Sequence, residues 1–252
     1  ELYAFLLRMP KGGDLHNHLG GAVYAESLLR AASQDALCVD KETLSLLRSD
    51  RPPACGEYQI PASVPLTNNG LENMLIDSLS MRDFVPGKES GHDHFFATFD
   101  KFKAVNHDHD GEFVAEVARR AAEQNESYLE LMVLAGSGPE SALGKQIGFN
   151  GDFEATRQRL LAAGLQAAVD RLHARVDRIE EGRLHTLGCD KDPNSPGCHV
   201  VVRYQYQWRR DGPAVQGVAQ VMGAPRTGTV ADHAHPGFDH ATFIEMRKPL
   251  AD

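Results

Sequence analysis

The chain has 252 residues, 42% of them hydrophobic and 24% charged, a balance that supplies a globular protein with a substantial core. Lys plus Arg number 26 against 35 Asp plus Glu, a formal net charge of -9, which excludes nucleic acid or an anionic membrane as an electrostatic partner and favours a neutral or cationic small molecule. No run of about 18 apolar residues occurs, so no transmembrane helix is expected, and the apolar stretch over 2–7 is too short for a signal peptide.

In chain order, a short apolar lead-in over 3–7 is broken by Met9-Pro10-Lys11-Gly12-Gly13 before an extended stretch over 14–19, the first expected strand. Over 22–32, Val23, Leu28 and Leu29 recur at helical spacing and predict a helix. Residues 36–70 are rich in Pro, Ser, Asn and Gly and read as a long irregular excursion. The four cysteines fall as two pairs, Cys38 with Cys55 and Cys189 with Cys198, each among Pro, Gly and Asp. They read as two short disulfide-closed loops of a periplasmic or secreted protein, with the reduced thiols of a cytoplasmic enzyme left open.

Helices are expected over 71–79 and 94–105, and in the second Phe95, Phe99 and Phe102 fall at i, i+4 and i+7 on one face, as in a core-facing aromatic stripe. A helix over 112–125 leads into 128–134, an almost continuous apolar run that suits a strand covered on both faces. A long helix over 153–180, a strand over 200–208 and a short helix over 214–222 follow. This alternation argues for parallel strands with covering helices. Beyond 223 periodicity fades and the segment reads as a tail.

At the end of the first expected strand stands His16-Asn17-His18. Residues two apart on a strand face the same side, so both imidazoles can converge on one ion, and zinc takes neutral imidazole with one or two further ligands. The plain alternative is a chance His-x-His. In the tail Asp232, His233, His235, Asp239 and His240 cluster without a recognisable spacing and read as solvated, while His92, His94, His107 and His109 read as surface histidines. Glu26 reads as an ordinary helix-surface carboxylate. Glu130, on an apolar strand, needs a partner, and a structural ion pair with Arg203 on the neighbouring strand is expected.

The run Met9-Pro10-Lys11-Gly12-Gly13-Asp14-Leu15-His16-Asn17-His18-Leu19-Gly20-Gly21-Ala22 resembles the opening motif of the adenosine deaminase family. The segment from His94 to Phe102 is similar to that family's Phe-rich helix over the substrate pocket, Tyr128-Leu129-Glu130-Leu131 to its second barrel strand, and the segment from Val202 to Tyr206 to its third. The long excursion and paired cysteines resemble its secreted, growth-factor-type branch. The likeness covers roughly residues 1–222 and implies a (β/α)8 barrel. Only 44 residues (252 minus 208) follow Trp208, and each further unit takes about 30. The expected fold class is therefore α/β, an incomplete TIM barrel of the first three or four βα units with a long irregular insertion after the first helix. It would occupy 1–222, with an irregular tail over 223–252.

The resemblance implies that His16 and His18 are the first two Zn2+ ligands and that Phe95 and Phe99 bind the substrate. The zinc would lower the pKa of a bound water, and the reaction would be hydrolytic deamination of adenosine or a related purine nucleoside to inosine and ammonia. It also implies a homodimer of the complete protein. The chain departs from the family in having no His-Ala-Gly-Glu segment, no Ser-x-His-x-x or Gly-His-Gly segment after Trp208, and Gly20 where the family often has a substrate-contacting Asp. Catalytic residues therefore stay unassigned. The alternative is a catalytically inactive truncated fragment or a nucleoside- or metal-binding protein; a phosphoesterase opening with His-x-His fits the Met-Pro-Lys lead and the Phe-rich helix less well.

Overall fold

The computed structural model describes residues 1–49, 54–105, 107–135, 139–207 and 230–231. The expected helix over 214–222, the tail with its Asp and His cluster, and the boundary at 222/223 lie outside these residues. In chain order the elements are α1 (Leu2–Arg8), β1 (Gly12–His18), α2 (Leu19–Ala22), α3 (Ala25–Gln34), β2 (Cys38–Asp40), β3 (Leu46–Leu47), β4 (Gln59–Pro61), α4 (Asn69–Leu79) and α5 (Gly91–Phe102). There follow α6 (Asp110–Glu123), β5 (Glu126–Ala135), α7 (Pro139–Ile147), α8 (Phe153–Ala162), α9 (Leu165–Leu187), β6 (Val201–Gln207) and β7 (Val230–Ala231). They divide into two compact units, one of Glu1–Leu19 with Val114–Asp252, the other of Gly20–Phe113.

The first unit is built on a parallel sheet with strand order β1-β5-β6-β7. Leu129 and Leu131 of β5 lie in register with Val202 and Tyr204 of β6, and all four are buried. Helix α9 contributes Leu165, Ala168, Val169, Val176 and Ile179 to the interior. It also carries a buried polar contact: the Tyr204 hydroxyl donates to Glu180 Oε2 at 2.7 Å, and Arg183, 4% exposed, donates to the same carboxylate. Burial, with Glu180 beside it, pushes the Tyr204 hydroxyl far above its ordinary pKa, so it stays a neutral donor. Tyr206 repeats the arrangement with Glu140 at 2.6 Å, both residues being fully buried.

The second unit overturns the irregular excursion. Within 36–70 three short strands form an antiparallel sheet, β3-β2-β4, in which Cys38 lies opposite Leu47 on one side and Pro61 on the other. Leu29 and Ala32 of α3, Val39, Leu46, Ala62 and Leu75, Ile76 and Leu79 of α4 make its core. The turn between β2 and β3 is tied by Asp40, whose Oδ1 accepts from the Thr43 amide at 2.8 Å, the Thr43 hydroxyl at 2.9 Å and the Glu42 amide at 3.1 Å. Those hydrogen bonds, led by the Thr43 amide, hold the Asp40 carboxyl below its ordinary pKa. A high Pro and Gly content marked real turns here, but strands of two or three residues are too short to show a period of two.

The fold class is corrected accordingly. The described strands form an open four-stranded parallel sheet and a separate small antiparallel sheet, in a mixed α/β chain of two units; they do not form a barrel with a loop inserted in it. Two further expectations change. The long helix over 153–180 is two helices, α8 and α9, parted by Gly164 at φ 102°, a left-handed turn that L side chains rarely adopt. The apolar lead-in is a helix, α1, with no buried residue.

Both cysteine pairs are disulfide-bonded, Cys38 to Cys55 and Cys189 to Cys198. Two of the four histidines read as superficial are not. His109, 9% exposed, sets Nε2 3.0 Å from Asp35 at the end of α3 and Nδ1 3.5 Å from Glu112. The His94 side chain, 16% exposed, has Nδ1 2.7 Å from Glu89 Oε1 and Nε2 3.1 Å from the Ser80 carbonyl. Both its ring nitrogens face acceptors, and only the imidazolium donates to both.

The Glu89 hydrogen bond, and then that of Ser80, raises the His94 pKa above the ordinary 6.5. A raised folded-state value means the contribution to stability is complete below about 6.5 and is lost as pH rises through the folded value. Denaturant unfolding followed from pH 5 to 9 is expected to show this decline in the wild type and a flatter profile in His94→Gln; identical profiles would refute the assignment. Cys55→Ser, which opens a disulfide spanning 17 residues, is expected to lower unfolding free energy by about 3 kcal/mol. Reductant should erase the difference between the two proteins, and a difference that survives reduction would trace it to something other than the crosslink.

Candidate metal centre

The centre begins with two glycines. Gly12 has φ 78°, in the left-handed region, and turns the chain into β1. At Gly13 an added Cβ would lie 2.9 Å from both the Cβ and the carbonyl oxygen of Tyr128, so β1 and β5 approach here as only glycine allows. Lys11 fixes the entry, its amide donating to the Asn125 carbonyl at 2.9 Å. The Lys-Gly-Gly lead is thus a backbone requirement of this parallel pairing.

Register then slips. Asp14 pairs with Leu129, but the next paired residue of β1 is Asn17, opposite Leu131, so β1 spends three steps where β5 spends two. Leu15 and His16 form the resulting bulge, which bends the strand and re-aims its side chains. Asp14 holds the bulge locally: Oδ1 accepts the His16 amide at 3.1 Å and Oδ2 accepts from Asn17 Nδ2 at 2.7 Å. His18 returns to the ladder opposite Met132.

The two imidazoles meet. Ring centres of His16 and His18 are 5.5 Å apart with planes at 63°. Two imidazoles bound to one tetrahedral zinc at about 2.0 to 2.1 Å hold their ring centres about 5 Å apart, close to the separation of this pair. His16 is exposed and His18 half-buried. Among the described residues no group of three or more His, Cys, Asp or Glu is placed to hold a metal.

Polar residues line the sheet beside them. Tyr128, Glu130, Arg203 and Gln205 alternate with the buried Leu129, Leu131, Val202 and Tyr204. Glu130 and Arg203 are register partners as expected of neighbours, and the Glu130 carboxylate accepts hydrogen bonds from the Tyr128 hydroxyl at 2.9 Å and from Gln205 Nε2. The Glu130 hydrogen bond, with burial second, raises the Tyr128 pKa, keeping the phenol a donor. Gln205 and Asp14 escaped the sequence reading. An amide in an apolar strand and an Asp two residues before a histidine carry no periodic signal, and only the bulge gives them a task.

Phe95 and Phe99 lie in the other unit, so the two expected sets of site residues belong to different compact units. Their rings are 5.1 Å apart and edge to face; Phe96 joins at 5.2 Å from Phe95, and Phe102 at 5.3 Å from Phe99. Only Phe102 packs against the core cluster, while Phe95 is 40% and Phe96 56% exposed, so the stripe is not a core stripe along its whole length. Phe99 sits over Gly21: a Cβ there would be 3.2 Å from its Cζ. The small residues after His18 make room for the aromatic helix.

Compared with models of known families, the chain matches none, and no curated protein matches it.

Gly13→Ala is expected to cost about 1–3 kcal/mol, because the new methyl meets backbone of β5 that cannot rotate away. Gly20→Ala is the control, since its nearest neighbour, Phe102 Cε2, stands at an ordinary 3.8 Å. Urea titration of both variants checks this; equal stability of the two would contradict the close approach.

Proposed function

We propose that the chain belongs to a zinc-dependent aminohydrolase of the adenosine deaminase type, which releases ammonia from adenosine or a related purine nucleoside and leaves inosine. The observation that carries the reading is the convergence of His16 and His18 at 5.5 Å on the end of a β-strand, inside the Met-Pro-Lys to Gly-Gly-Ala motif.

His16 and His18 would hold the metal through neutral imidazole nitrogens. When bound, the zinc supplies Lewis acidity and an activated water for hydrolysis at neutral pH. Asp14 and Asn17 keep the bulge closed and so keep His16 aimed beside His18. A net charge of -9 suits an uncharged nucleoside better than a polynucleotide. Two disulfides support a periplasmic or secreted setting, where they persist.

The test is zinc content and ammonia release from adenosine, measured on the purified chain and on His16→Ala and His18→Ala. Zinc bound through His16 and His18 is expected in the wild type and its loss in each variant, and metal-dependent ammonia release that both variants abolish would make the chain itself the enzyme. Stoichiometric zinc without ammonia would assign the chain to the alternative class, a metal- or nucleoside-binding protein. Zinc absent from the wild type would remove the reading.

A further inference from the structure

The peptide joining Leu15 to His16 lies in the bulge of β1, outside the regular pairing with β5. Such a peptide must find its hydrogen bonds elsewhere. Its amide, that of His16, goes to Asp14. Its carbonyl, that of Leu15, accepts from Nε2 of Gln205 at 3.3 Å, from 190 residues along the chain. Gln205 is 4% exposed on β6, and the same Nε2 donates to Glu130 Oε2 on β5. Both partners are acceptors, so the amide group of Gln205 must face them; a carboxylate of the same shape would repel both. Glu130 is steadied in turn by the Tyr128 hydroxyl at 2.9 Å.

We infer that Gln205 is a positioning residue of the two-histidine centre: it fixes the Leu15–His16 peptide and so the direction in which the His16 imidazole leaves β1. The inference rests on reading His16 and His18 as metal ligands, yet its physical content concerns the metal-free chain. A residue that only braced the sheet would need its contact with Glu130. A positioning residue must also hold the Leu15 carbonyl.

The double variant Glu130→Gln with Gln205→Glu separates these roles. It keeps one amide donor and one carboxyl acceptor between positions 130 and 205 but withdraws the donor from Leu15. Amide hydrogen exchange of His16 and Asn17, with Leu131 and Tyr204 as sheet controls, is to be measured on the full chain alongside Zn2+ affinity by chelator competition. Gln205→Met and the double variant are compared with wild type.

In both variants His16 and Asn17 should exchange about tenfold faster while the controls hold, and Zn2+ affinity should fall about tenfold, the size of effect typical of groups that orient a metal ligand. Wild-type exchange and affinity in the double variant would overturn the inference, since bracing alone would then suffice. Unchanged His16 exchange in Gln205→Met would also overturn it. If Gln205→Met loosens all four amides alike, the double variant decides. Should the wild-type chain bind no Zn2+, the metal reading falls, and the exchange comparison still decides whether Gln205 holds the strand.

Discussion

The parallel pairing of β1 with β5 is the constraint on which the rest of the candidate centre depends. Its closeness at Gly13 excludes any side chain there, and its slip between Asp14 and Asn17 creates the bulge in which His16 lies. In an unbulged strand residues two apart simply alternate to one face. Here an extra residue stands between the paired positions, and the two rings still converge because Asp14 on one side and Gln205 on the other hold the displaced peptide. The geometry of His16 is therefore set by polar side chains as much as by the ladder.

The same economy of polar contacts recurs deeper in the sheet unit. Tyr204 and Tyr206 each direct a phenol at a carboxylate, that of the part-exposed Glu180 and that of the fully buried Glu140. Burying such groups without partners costs several kcal/mol, so each hydroxyl placed against a carboxylate fixes the helix that carries it. The hydrogen bond from Tyr204 to Glu180, whose carboxylate Arg183 holds from within the same helix, ties α9 to β6. In the unit Gly20–Phe113 the corresponding ties are a disulfide, the Asp40 turn, and His94 between Glu89 and Ser80. That unit has strands of only two or three residues, and crosslinks with side-chain anchors supply the order that long ladders provide elsewhere.

Much was legible before any coordinates. The 3.6 period of Phe113, Val114, Val117, Ala118 and Ala121 gave α6, whose apolar face is buried, and the apolar run through Leu129 and Leu131 gave β5. The cysteine pairs could be read from spacing and from the turn residues around them. The small sheet in 36–70 could not, because Cys38, Val39, Leu46 and Ile60 are scattered singly among turn residues. Their apolar character becomes a pattern only when they meet α3 and α4 in one core. His109 likewise read as superficial because its neighbours in sequence are polar, whereas Asp35, which covers it, is 74 residues away.

The sequence by itself determined the alternation of helices and parallel strands, the grouping of the cysteines into two pairs whose bonding it left open, and the placing of two histidines two residues apart at a strand's end. Local periodicity and spacing are properties of adjacent residues, and adjacent residues are what a sequence displays. Tertiary structure decided that the described strands form an open parallel sheet in one unit and a small antiparallel sheet in the other, and that the aromatic helix exposes Phe95 while packing Phe102 against the core. It also decided that Gln205 of β6 meets the Leu15 carbonyl of β1. These depend on contacts between residues distant along the chain, whose energies arise only once desolvation and register have brought them together.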